Sequence, residues 1–302
     1  MAPPTTSPLY AKEAPRPNLT GAFFVLAAGM LWGTTGTTQA LAPAGAGPLT
    51  IGPLRLLVGS IVLLLPALYR GGFGRGRWPV ATTFMAGAGV ACYQICFFSA
   101  VRLTGVAVGT LVGIGSSPII AGILGYLFRG ERPGRSWGVA TLLALVGCGL
   151  LAGGGGGISV NPFGILLALG AGASYAGYTM LLKGLLPGRT PDAVMAVVFS
   201  IGAILLLPLL FLSDLRWVAA PSGIGVVLYL GVLVTALSYW LFATGLRTVP
   251  VATAVTLSLV EPLTAALLGV LLLGERLSPL ALSGIPLLFA GLLVLARSMA
   301  RR

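Results

Sequence analysis

Apolar and polar positions fall along this chain in long blocks. Runs long enough to cross about 30 Å of hydrocarbon lie near residues 20 to 41, 48 to 69, 79 to 100, 106 to 128 and 135 to 153. Five more lie near residues 161 to 183, 192 to 212, 221 to 245, 251 to 273 and 279 to 297. Short polar connectors separate them, so the pattern predicts an all-α membrane protein with ten transmembrane helices.

Composition supports the same reading: 57% of the 302 residues are hydrophobic and 8% are charged, against about 25% charged in a soluble domain. Mean hydropathy is +1.01. The 45 glycines suit transmembrane helices, whose backbones approach closely through small residues because no hydrophobic effect drives them together. Residues 1–19 hold five prolines with Lys12, Glu13 and Arg16, too little apolar surface to offset the entropy of ordering, and are expected to form a disordered cytoplasmic tail. The first apolar run with Ala40-Leu41-Ala42 loosely imitates a cleaved signal, but it is too long for one.

The net charge of +12 raises nucleic-acid binding, which needs Lys and Arg gathered on one face. Instead they sit between apolar runs and fit the positive-inside rule. With the N-terminus inside, fourteen of the 18 basic residues fall on the cytoplasmic side; Arg102, Arg216 and Arg276 fall outside, and Arg55 lies within a span. Both termini are therefore expected in the cytoplasm. Cys92, Cys96 and Cys148 lie in apolar runs and histidine is absent, which offers neither a disulfide framework nor a metal site and removes the commonest proton shuttle. No cofactor, metal or nucleic-acid partner is expected.

The chain repeats itself. Gly130-Glu131-Arg132 recurs 144 residues later as Gly274-Glu275-Arg276, each closing a long apolar run. Near that offset Val101-Arg102 matches Leu246-Arg247, Ser117-Pro118 matches Glu261-Pro262, and Trp32 matches Tyr175. Residues 20–153 form the first repeat, 154–160 a Gly-rich linker and 161–298 the second. A repeat of five spans re-enters the membrane inverted, the arrangement that gives secondary transporters two access states by exchanging the conformations of the halves. The glycines at 153–157 lack the Gly-Lys-Ser/Thr ending of a phosphate loop.

Ionisable groups within a span are costly and need a partner or a wet cavity. Glu261 lies ten residues into the ninth span, roughly 15 Å deep at 1.5 Å per residue. It reads as a solute-facing carboxylate, or as a structural acid beside Pro262. Arg55, seven residues from the outer end of its span, reads first as a side chain snorkelling to the interface, and otherwise as a clamp for a substrate carboxylate. Pro118 and Pro262 each remove a backbone donor and free the carbonyl four residues earlier, so both are expected helix breaks near the midplane. Trp32, Tyr93, Tyr175, Tyr178 and Tyr239 pair a large apolar face with a polar handle and, with Gln94, are cavity candidates.

Ten spans, two five-helix repeats and Gly-Glu-Arg after each long Pro-containing span resemble the EamA family of the drug/metabolite transporter superfamily. Tyr93-Gln94-Ile95-Cys96 and Tyr175 are similar to its bacterial aromatic amino-acid exporters. The resemblance implies a multi-pass protein of the bacterial inner membrane, with a central cavity between the repeats and a small molecule, an amino acid or metabolite, as cargo. Gly115, Ser116 and Ser117 depart from an aromatic lining before Pro118, which opens a wider cavity or a broader substrate range and adds Ser116 and Ser117 to the candidates. The expected function is a secondary transporter, not an enzyme, exporting aromatic and other neutral amino acids by alternating access, as a monomer. Export of organic cations through Glu261 is the alternative; an intramembrane enzyme or a passive channel stands behind it.

Overall fold

The computed structural model describes residues 19–74, 76–153 and 161–300. Residues 1–18 of the expected tail and the linker 154–160 lie outside the described residues. Ten helices cross the apolar slab: α1 (Leu19–Ala40), α2 (Pro48–Tyr69), α3 (Val80–Gly105), α4 (Val108–Arg129), α5 (Arg135–Gly153), α6 (Pro162–Leu185), α7 (Pro191–Phe211), α8 (Pro221–Leu246), α9 (Val251–Leu273) and α10 (Pro279–Ala300). Helix α3 runs five residues past its expected end and turns directly into α4 at Gly105, whose φ of +82° is a conformation open to glycine and costly for other residues. Side chains such as Phe23, Leu65, Phe128, Leu142, Ile204 and Leu271 point outward and are exposed. That apolar surface would be insoluble in water and is ordinary against lipid.

The repeats interleave. The most extensive contacts pair a helix of one repeat with a helix of the other: α5 with α10, α2 with α7, α1 with α8, and α3 and α4 with α6. Inverting the repeats exchanges α1 for α6 and α3 for α8, so the α1–α8 and α3–α6 pairs are the same contact made twice. In hydrocarbon such pairs are held by close packing and by what few hydrogen bonds they make. Glycines therefore sit where backbones meet. A Cβ at Gly147 on α5 would lie 2.6 Å from the Leu288 amide nitrogen of α10, one at Gly291 would lie 2.6 Å from the Ala140 carbonyl oxygen, and one at Gly284 would strike the Gly147 carbonyl. The obstacle in each case is backbone, which cannot rotate aside. Gly284→Ala is expected to separate α5 from α10 and cost about 1–3 kcal/mol of stability, measurable as a lowered midpoint of thermal unfolding in detergent. Gly138→Ala, with open space around its Cβ, is the control.

The recurring Gly-Glu-Arg proves to be a helix stop. Gly130 and Gly274 take left-handed φ values of +63° and +68°, as C-terminal glycines do. The amides of Glu131 and Glu275 then reach back to the carbonyls of Gly125 and Gly269, both at 3.0 Å. The two carboxylates fold over those same glycines, where a Cβ would collide with them.

Candidate functional site

Breaks in three helices deliver side chains of both repeats to one place near the middle of the bundle. Helix α1 is interrupted at Thr34, where the Thr34 and Thr35 hydroxyls donate to the carbonyls of Leu31 and Trp32. Helix α8 winds as a π-helix from Tyr229 to Leu237, a geometry that recurs at functional sites. The Tyr229 hydroxyl ties its start to Thr34 at 3.1 Å. Helix α9 divides between Leu257 and Val260.

Trp32 on α1 donates from Nε1 to Ser238 Oγ on α8 at 2.8 Å and packs against Tyr239 and Phe242, with ring centroids 4.7 and 5.2 Å apart. Tyr175 meets Trp32 edge-on at 6.4 Å, Tyr178 at 5.4 Å and Tyr93 at 5.9 Å. The hydroxyls are directed: Tyr175 donates to Ser258 at the α9 division, 3.0 Å, and Tyr178 and Tyr239 lie oxygen to oxygen at 3.5 Å. All five aromatic candidates thus join one cluster; Gln94, beside Tyr93 in the chain, accepts from Arg55. Trp32, Gln94, Tyr175, Tyr178 and Tyr239 are buried; Tyr93 is half-buried.

Glu261 opens the second half of α9. Pro262 cannot donate to the Ser258 carbonyl, and the Glu261 amide takes that acceptor instead at 2.9 Å. The half-buried Glu261 side chain lies within the field of Arg55 and acts on Tyr93, Tyr175 and Tyr239. A single carboxylate among hydroxyls and aromatic faces suits an ammonium, which those faces also attract.

Arg55 corrects the expectation of snorkelling. Its side chain turns into the bundle, where Nη2 donates to Gln94 Oε1 at 3.3 Å and Nε is buried without a partner. The position of Arg55 in its span gave no hint of this, because register along a uniformly apolar helix does not reveal which face looks inward.

Ser116 and Ser117 stand elsewhere. Both donate to the Gly113 carbonyl, at 3.3 and 2.9 Å, Ser117 is buried, and a Cβ on Gly172 would strike Ser116 Oγ. They close the α4–α6 contact and do not reach the aromatic cluster. Helix α4 also runs through Pro118 unbroken, so the expected pair of proline breaks is a single break, at Pro262. The carbonyl that Pro118 frees is that of Ile114, and the Ser116 and Ser117 hydroxyls bond its neighbour Gly113.

Sequence reasoning missed a second constellation, at the bundle end where α6 finishes. Lys183 Nζ pairs with Glu131 Oε1 at 3.2 Å and donates to the Val249 carbonyl at 2.6 Å. Glu131 Oε2 accepts from the Val251 amide, the first of α9, at 2.8 Å. A lysine at the end of a span reads as an ordinary charge anchor, whereas Lys183 is paired. The signal was its lack of a counterpart: the equivalent position of the first repeat is Ala40.

The sequence model of the EamA-like transporter family matches residues 19–153 and 162–297. The chain is 50% identical to the uncharacterized transporter YwfM of Bacillus subtilis, over 90% of this chain and 92% of that one. It is 30% identical to the protein PecM of Dickeya dadantii over 90% of each chain. A shorter match, 35% identical over 52% of each chain, is to the threonine/homoserine exporter RhtA of Escherichia coli. One solved crystal structure superposes with a TM-score of 0.80 over 93% of this chain and 98% of that one at 22% identity, a likeness of fold.

Proposed function

This chain belongs to the EamA-like transporter family, as a multi-pass protein of the bacterial inner membrane, and on that premise we propose that it exports neutral α-amino acids by alternating access. Both termini face the cytoplasm in this reading. The observation that carries it is the pair of opposite charges facing one cluster: Arg55, with a buried Nε that lacks a partner, and Glu261. A zwitterion satisfies both, its carboxylate on the guanidinium and its ammonium on Glu261. An organic cation satisfies one and is repelled by the other, which favours amino acids over the cation alternative. The aromatic rings already pack against each other, leaving room for small side chains more readily than for aromatic ones. A relative named as a threonine/homoserine exporter agrees with that preference.

Counterflow in proteoliposomes with a panel of amino acids, nucleosides, sugars and organic cations tests the proposal. Accumulation confined to neutral amino acids supports it; accumulation of cations alone refutes it. A carrier also needs a driving force, and Glu261, facing Arg55, Tyr93, Tyr175, Tyr239 and, from α5, Cys148, is the acid placed to exchange a proton for an ammonium. Glu261→Gln is expected to flatten the pH dependence of export while counterflow, which needs no net proton movement, persists at reduced rate. An unchanged pH profile would remove Glu261 from the coupling.

A further inference from the structure

Away from the aromatic cluster, a cavity of about 320 Å³ lies between α2, α7 and α8. It begins at the bundle end that carries Lys183, where Arg70 caps α2 and Asp192 is the second residue of α7. From there its walls are apolar: Pro66 on α2, and Trp240, Leu237 and Leu233 on α8. Leu233 stands thirteen residues before the end of α8, roughly 20 Å at 1.5 Å per residue. The groove therefore runs from the headgroup level to about the middle of a 30 Å hydrocarbon slab. Leu233 and Leu237 are exposed along it, and Trp240 sits nearer the interface, where tryptophan is favoured.

The polar end is unfinished. Asp192 is 2% exposed, and its Oδ2 is buried without a hydrogen-bond partner. Neither Asp192 nor Arg70 is in an ion pair among the described residues. Two opposite charges thus line one groove without neutralising each other, and a buried carboxylate oxygen lacking a donor is costly. A ligand that completes this end brings N–H donors to Asp192 and an anion to Arg70. A ligand that fills the rest is a hydrocarbon chain.

We propose that the groove holds a phosphatidylethanolamine of the adjoining leaflet, its ammonium on Asp192, its phosphate on Arg70 and one acyl chain along Leu233 and Leu237. Phosphatidylcholine carries the same charges but has no N–H to give Oδ2. Anionic lipids set a second negative charge against Asp192. A soluble zwitterion matches the polar end and leaves the apolar length empty. The site is independent of the amino-acid reading, since it uses none of the residues of the aromatic cluster.

Native mass spectrometry of the full purified chain, titrated with palmitoyl-oleoyl phosphatidylethanolamine, its N-methyl and N,N-dimethyl forms and the corresponding phosphatidylcholine, tests this without altering the protein. Retention is expected to fall little while one N–H remains and by about tenfold between the N,N-dimethyl form and phosphatidylcholine, the worth of a hydrogen bond to a buried charge. Asp192→Asn should bring the four lipids within about twofold of each other, Arg70→Gln should weaken all four alike, and Leu233→Trp, which fills the groove, should lower retention of all without changing their order. Equal retention of the four lipids by the unaltered chain overturns the proposal, as does an undiminished preference in Asp192→Asn. Displacement of the lipid by chain-free glycerophosphoethanolamine at equal concentration also overturns it, by making the site one for a soluble zwitterion. If Asp192→Asn fails to fold, the methylation series and Leu233→Trp decide.

Discussion

Arg55→Gln is expected to lower the specific rate of amino-acid counterflow by about a hundredfold, with thermal stability unchanged or raised. The two halves of that result have one cause. Truncating one partner of a buried, hydrogen-bonded charge pair costs about 2–5 kcal/mol, and 1.4 kcal/mol is tenfold, so losing the guanidinium that holds a substrate carboxylate weakens transport by around two orders of magnitude. Among the described residues the guanidinium makes one hydrogen bond, to Gln94, and Nε is buried and unpaired. Burial of such a group without a partner costs about 1–3 kcal/mol. Gln at position 55 removes that cost, and activity and stability move in opposite directions, as at other sites that store strain for function. Arg55→Lys restores the charge without the fork that grips a carboxylate and should recover only part of the rate. Normal transport by Arg55→Gln would leave the carboxylate clamp without its residue.

The contrast between Arg55 and the tyrosines shows what the chain reveals by inspection. Block-wise hydropathy places the ten spans because only helices of that length satisfy their own backbone in lipid, and the internal repeat fixes their pairing. Tyr175 and Tyr178 are recognisable as a pair because helical spacing puts residues three apart on one face. Arg55 and Lys183 resist such reading. In a soluble helix the polar face marks the outside, whereas α2 carries only Thr50, Ser60 and Tyr69 as polar positions besides Arg55, too few and too scattered to fix the rotation of the helix in the bundle. The difference between Pro118 and Pro262 is similarly hidden. Each removes one backbone donor, yet α4 runs on through Pro118, while α9 divides and passes the freed Ser258 carbonyl to the Glu261 amide. The proline alone does not tell the two outcomes apart.

The second large effect is expected from Glu131, whose carboxylate joins the repeats at one end of the bundle. One oxygen pairs with Lys183 on α6; the other caps the first amide of α9. Around it the Thr190 amide donates to the Gly72 carbonyl and Arg189 Nη2 to the Arg77 carbonyl, both at 3.0 Å, which ties this end across the repeats, and Arg247 Nη2 donates to the Arg189 carbonyl within the second. Its repeat mate Glu275 has neither cap nor ion pair among the described residues. In the exchanged conformation that alternating access requires, Glu275 is expected to cap the start of α4 as Glu131 caps α9. No lysine awaits it, because Ala40 occupies the position equivalent to Lys183. On the alternating-access proposal, closure at the Lys183 end is then expected to be the deeper minimum. Glu131→Ala removes pair and cap together and leaves Lys183 half-stranded; the pair is part-buried, so the loss is about 2–3 kcal/mol, short of that for a fully buried pair. Cysteines placed at this end should then label with membrane-impermeant maleimides about thirtyfold or more faster. Lys183→Met keeps the cap, and Glu131→Gln keeps an acceptor for the Val251 amide, so both should open this end less than Glu131→Ala does. Exchanging the two residues should not rescue closure, since Lys at 131 has nothing with which to accept from that amide. Rescue by the exchange would show that charge pairing alone holds this end. Glu275→Gln should leave labelling at the Lys183 end unchanged and still slow counterflow, because it weakens only the conformation that is not the resting one.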